Sequence, residues 1–188
     1  MKLINKIKRK LGLKVTYPSE TSKVRHLVLH YCVGKGCDIG FGGDKIKPDA
    51  IGIDFANPYA TTGHDEVDIA CDVMKEPIPV EADTFDYVYT SHLIEDFEET
   101  AKGLTEFIRV LKSGGNLILV FPDQPKYEAH CRKTGQPLNT YHKHADMGRN
   151  FMLTELGRLP KTEYIILFES NCEIDYNVVL VLQIIKHG

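Results

Sequence analysis

Eighteen residues, Cys37 to Asp54 (CDIGFGGDKIKPDAIGID), limit what this chain can fold into more than any other stretch. Two short apolar runs, 37–40 and 50–54, read as strands, with Gly40, Gly42 and Gly43 between them. Glycines let a backbone turn with positive φ and pass close to a ligand. Their N–H groups can also form a small concavity for an anion or dipole. Only DKIKPD separates Gly43 from Ala50, and Pro48 lies inside it, so no helix fits between the two strands.

A nicotinamide dinucleotide is poorly served by this loop. A G-x-G-x-x-G reading from Gly40 finds Lys45 where the third glycine belongs, and the helix that would hold a pyrophosphate has no room. The strand-end acid, Asp54, follows Gly40 by 14 residues, short of the ~20 of the dinucleotide motif. An oxidoreductase is therefore the weakest of three readings, behind a transferase and a catalytically silent cofactor-binding or partner module.

The rest of the chain alternates in kind. Val24, Leu27, Val28 and Tyr31 recur at helical spacing behind the N-cap candidates Thr21 and Ser22. Weak strand character follows at 67–69, and strong character at 85–90 (FDYVYT). Leu104, Phe107, Ile108 and Leu111 mark a helix closed by Gly114-Gly115, and NLILVF (116–121) reads as a buried parallel strand. Residues 127–132 allow a helical turn or two. Two apolar runs at 164–168 and 178–185, with nine residues between them, should pair as an antiparallel hairpin. The expected fold is α/β: a doubly wound, mostly parallel, Rossmann-like sheet with a C-terminal antiparallel hairpin.

A chain of 188 residues, 43% hydrophobic and 26% charged, can bury a core in a single domain, here 19–188. No apolar run reaches the ~18 residues of a membrane span. Five cysteines without C-x-x-C spacing speak for a reducing compartment, the cytoplasm, and against a zinc ribbon. A net charge of −3 gives no sign of a nucleic-acid partner. Residues 1–14 hold six basic residues and no acid, with Leu3, Ile7 and Leu11 on one helical stripe. The expectation for 1–18 is a basic extension, packed or frayed, with weak peripheral membrane contact as the sharper alternative.

Four segments then resemble the class I S-adenosylmethionine-dependent methyltransferases, in particular the small methyltransferase-type-11 branch, many of whose members accompany cell-surface glycan genes. They are DIGFGG (38–43), GIDF (52–55), DIACDV (68–73), and FDYVYTSHLIEDF (85–97) with LKSGGNLILVFPD (111–123). The resemblance implies S-adenosylmethionine as cofactor. It puts Asp38, Gly40, Phe41 and Gly42 around the methionine part, Asp54 and Phe55 at the ribose, Asp72 and Val73 at the adenine, and Ser91 on the cofactor wall. It also implies a small-molecule or glycan acceptor. The reduced connection after the glycine loop, and Glu95-Asp96 where the family often has Glu-His, depart from its pattern.

Methyl transfer to a hydroxyl needs a base for the departing proton. His92, just past the fourth strand, is one candidate. His142 and His144 are two more, in the polar stretch 123–150 where this fold usually binds the acceptor. On a strand His142, His144 and Asp146 would share a metal, but no other spacing supports one and none is expected. Glu95, Asp96, Glu98 and Glu99 read as a solvated helix start.

Overall fold

The computed structural model describes residues 18–58 and 62–187, so the basic segment 1–14 lies outside the described residues. Seven strands form one sheet in the order β3-β2-β1-β4-β5-β7-β6. These are β1 (Gly36–Ile39), β2 (Ile51–Asp54), β3 (Ile69–Ala70), β4 (Phe85–Ser91), β5 (Leu111–Pro122), β6 (Thr162–Ile174) and β7 (Asn177–Lys186). The first five are mutually parallel, while β7 runs antiparallel between β5 and β6. The hairpin is as expected, with a tighter turn. Only Asp175 and Tyr176 join its strands, because β6 continues to Ile174.

Helices cover both faces. The first, α1 (Glu20–Val28), starts at Ser19, whose Oγ accepts from Ser22 N–H at 2.9 Å, ahead of the expected caps. It sets Val24 and Val28 on a layer of Tyr87, Tyr89, Ile118, Val120, Val179 and Val181. The opposite face packs Ile39, Val88, Leu117, Leu119 and Leu180 against α2 (Thr100–Val110) and α4 (Arg149–Gly157). Leu104, Phe107 and Ile108 of α2 and Met152 and Leu156 of α4 fill that layer. Between them in sequence, α3 (Gln124–Thr134) opens on Asp123, whose carboxylate accepts from Lys126 N–H. It closes on Gly135 in the left-handed region.

The chain passes from β1 to β2 without a helix, so the backbone groups of residues 44–46 must find other partners. Side chains supply them. Arg25 of α1 donates to the Lys45 and Ile46 carbonyls at 3.0 Å each and pairs with Asp44 at 2.6 Å. Asp38 accepts from Ile46 N–H at 2.6 Å, and Asp65 from Lys45 N–H at 2.9 Å.

The sheet also fixes one glycine that the sequence did not single out. A Cβ on Gly36 would lie 2.1 Å from the Tyr87 ring, which is fully buried on the neighbouring strand. Neither backbone nor ring has room to yield. We expect Gly36→Ala to cost about 3 kcal/mol, the upper part of the range for overpacking. A urea midpoint equal to that of the wild type would show that the strand pair has slack.

Candidate active site

The carboxyl end of β1 turns through Gly40, Gly42 and Gly43, at φ +71°, +56° and +82°. A Cβ on Gly43 would meet the Gly63 carbonyl at 2.9 Å, and one on Gly63 would sit 1.8 Å from Gly43 O. Residues 62–65 clasp the loop, with Thr62 N–H donating to Gly42 O at 2.7 Å and Asp65 N–H to Gly43 O at 2.9 Å. Phe41 is buried and turns over β2, where a Cβ on Gly52 would meet its ring.

Each strand-end acid has a distinct surrounding. Asp38 is fully buried; one oxygen holds Ile46 and the other has no hydrogen-bond partner among the described residues. Burial drives its carboxyl well above the usual range, with Asp44 and Asp54 adding to the shift. This carboxyl group braces the loop from inside. Asp54, half-buried at the end of β2, accepts from Gly42 N–H at 3.0 Å and Phe55 N–H at 2.8 Å, one bond on each oxygen. Burial raises its carboxyl and the two amides lower it in part.

After β3, Asp72 accepts from Met74 N–H at 3.3 Å and pairs with Lys75 at 2.8 Å, so its carboxylate is turned toward its own turn. Beside it Val73 and Met74 line an open pocket of about 250 Å³ together with Phe97, Gly103 and Glu106. Cys37 and Cys71 are buried, and burial lifts the Cys71 thiol to about 11, as suits small apolar residues.

The end of β4 carries the densest polar cluster. Ser91 is buried at the strand end. His92 follows at φ +55°, a conformation costly for a residue with a side chain, with its N–H bonded to Val120 O. Its Nδ1 lies 3.1 Å from Glu95 Oε1 and its Nε2 2.6 Å from Asn177 Oδ1. Glu20 stands 3.9 Å beyond, itself accepting from Tyr176 OH and Asn177 Nδ2. Burial lowers the His92 ring, but Glu95 and then Glu20 outweigh it and lift it to about 9. Glu20 shows the mirror effect: burial raises it, while His92 and Lys23 pull it down to about 2. His92 is thus an imidazolium at neutral pH, its Nε2 donating to Asn177 and its Nδ1 facing Glu95 as an ion pair.

His142 joins this cluster from the loop after α3. Its Nδ1 lies 2.7 Å from Gln124 Oε1 and its Nε2 3.7 Å from Glu95 Oε1. Gln124 Nε2 donates to Glu128 at 3.3 Å, which orients the amide so that Oε1 accepts from His142. Burial lowers the His142 ring below the usual imidazole value; Glu95 opposes this and the charge on His92 adds to it. The ring is neutral at pH 7, its proton on Nδ1 and its lone pair on Nε2.

His144 does not join. Its Nε2 is 2.8 Å from Phe97 O and 3.1 Å from Thr100 Oγ1, and its ring packs on Phe151. It ties the loop to the start of α2. His142 and His144 therefore do not face one ion, and no metal-binding group of His, Cys, Asp or Glu occurs among the described residues.

Sequence reasoning missed Glu95, which is 1% exposed rather than solvated, together with Glu20, Gln124, Tyr176 and Asn177. His92 and Glu95 stand three residues apart, but their partners come from three other elements.

Residues 37–119 match the model of a methyltransferase domain. No curated protein matches. Among solved structures, an S-adenosylmethionine-dependent methyltransferase from Archaeoglobus fulgidus superposes with a TM-score of 0.61 at 15% identity, over 94% of this chain and 97% of that one. A protein from Pyrococcus horikoshii OT3 does so at 0.64 and 17%, covering 86% and 88%. The YcgJ protein from Bacillus subtilis reaches 0.61 at 13%, covering 89% and 100%. At these identities the structures show the shared fold, and the domain model matches 83 of the 188 residues. The residues present suit the cofactor S-adenosylmethionine. Each Asp54 oxygen has accepted a single hydrogen bond and keeps capacity for a ribose diol, beside a glycine turn that no Cβ obstructs.

Proposed function

We propose that this chain, a class I S-adenosylmethionine-dependent methyltransferase by its domain match and fold, methylates an oxygen of a small-molecule or sugar acceptor. The cofactor supplies an electrophilic methyl group; everything else falls to the residues around it. Asp54 holds the ribose, the glycine loop passes the methionine part, and Val73 borders the adenine. The single observation that carries the choice of oxygen is the neutral His142, held by Gln124 with its Nε2 lone pair unspent. A hydroxyl must lose a proton on methylation, and this imidazole can take it. His92, charged, bonded to Asn177 and paired with Glu95, fixes the site's geometry. His144, bonded to Phe97 and Thr100, takes no part in proton transfer.

The test is turnover of S-adenosylmethionine to S-adenosylhomocysteine over a panel of sugars and small alcohols, phenols, amines and thiols. Methylated hydroxyl products are expected. A base whose value lies below that of ordinary imidazole is lost only as pH falls through that lower value. The rate should therefore rise from acid pH and level off before neutrality. Tight cofactor binding with no turnover on any acceptor would favour the silent module instead, and N- or S-methylation alone would move the acceptor to another class.

A further inference from the structure

We propose that Glu95 is a positioning residue of the methyl-transfer site, one buried carboxylate serving two imidazoles: it holds His92 as a fixed cation and pairs with His142 once that ring has taken the acceptor's proton. The inference rests on the O-methylation reading and deepens it. Glu95 is 1% exposed, and a buried carboxylate needs compensation. Its Oε1 faces His92 Nδ1 at 3.1 Å and His142 Nε2 at 3.7 Å. Both of its oxygens are buried with no hydrogen-bond partner among the described residues, so its hold on His92 is that of an ion pair. The backbone holds the group from below, since Lys143 N–H donates to Glu95 O at 2.9 Å and locks the loop carrying His142 onto the turn carrying Glu95.

The 3.7 Å gap is too long for a hydrogen bond, and with His142 neutral it sets a lone pair against a carboxylate. Proton uptake reverses the sign. The acceptor's O–H bond breaks and its proton goes to His142 Nε2; the oxygen's electron pair forms the new O–C bond as the C–S pair departs with sulfur. His142 is then an imidazolium beside an anion whose second oxygen has spare capacity. The other groups facing the two rings are Glu20, Asn177 and the Tyr176 edge on His92, and Gln124 and the Tyr127 ring on His142. None of those around His142 carries negative charge, so Glu95 is its anionic partner among the described neighbours.

The experiment uses the full chain and Glu95→Gln, which keeps shape and removes charge, with Glu95→Asp as the charge-retaining variant. Imidazole C2–H resonances, assigned through His92→Gln and His142→Gln, are followed by NMR across pH without any acceptor. The His92 and His142 midpoints should both fall in Glu95→Gln and recover in part in Glu95→Asp. With an acceptor in hand, kcat should drop at least tenfold in Glu95→Gln with KM for S-adenosylmethionine unchanged, and the acid limb of the rate should move to lower pH. Unmoved midpoints in folded Glu95→Gln would overturn the role of Glu95. Should Glu95→Gln fail to fold, wild-type midpoints in folded Glu95→Asp together with an unaltered rate would overturn it equally. Moved midpoints without hydroxyl turnover would instead overturn the O-methylation reading and leave the shared carboxylate standing.

Discussion

Calorimetric titration of S-adenosylhomocysteine into Asp54→Ala should show affinity at least about 100-fold weaker than into the wild type. Two hydrogen bonds from a ribose diol to a carboxylate are worth about 1.5–3 kcal/mol each, and every 1.4 kcal/mol is tenfold in binding. The loss has a second source. Asp54 also accepts from Gly42 and Phe55, so its removal strands two amides and frees the glycine turn from the end of β2. Wild-type affinity in a folded Asp54→Ala would remove Asp54 from the cofactor site.

The second large effect is on stability. His92 titrates near 9 in the folded chain, against about 6.5 unfolded, because Glu95 and Glu20 outweigh the burial that opposes its charge. A raised value of this kind contributes stability that is complete below about pH 6.5 and lost as pH rises through 9. The linkage amounts to about 3 kcal/mol at most for a shift of this size. Glu20, held near 2, describes the same contact from the other side, so the two are not summed. Its share is present above the ordinary carboxylate range and fades as pH falls toward 2. Urea unfolding at pH 6.5 and pH 10 should show the wild type weakening by more than His92→Gln over that interval. Equal slopes would mean that His92 is uncharged in the folded state.

Much of the architecture could be read from local pattern. Strands β1 and β2 are apolar runs ending before Gly40 and on Asp54, β4 is rich in aromatic residues, and α2 announces itself by Leu104, Phe107 and Ile108. But Leu111, expected in that helix, opens β5, and Gly114-Gly115, expected to close the helix, lie inside the strand. What escaped reading depends on partners far along the chain. Helix α4 lacks a side-chain cap at Gly148 and buries few of its residues, so its period is faint. Glu95 sits in EDFEE, a stretch that looks solvated, yet Glu20 and His142 from distant segments complete the cluster that encloses it. Asp38 matches a motif whose local sequence does not say that its carboxylate turns inward to Ile46. The separation of His142 from His144 was open for the related reason that a two-residue spacing implies a shared face only on a strand, and residues 142–146 are loop.

Among the described residues strand β6 is an open edge of 13 residues, and at its middle Ile165, Ile166 and Leu167 stand exposed in a row. Such a run is what a second chain would need to extend the sheet without limit. The pairing with β7 slips by one residue between Ile166 and Phe168. Side chains alternate along a strand, so the extra residue exchanges the two sides: Tyr164 packs with the α2 and α4 layer, whereas Phe168 packs with the α1 layer. A visiting strand in register with one half would be out of register with the other. The irregularity thus protects the hairpin from edge-to-edge aggregation at the place where its composition most invites it.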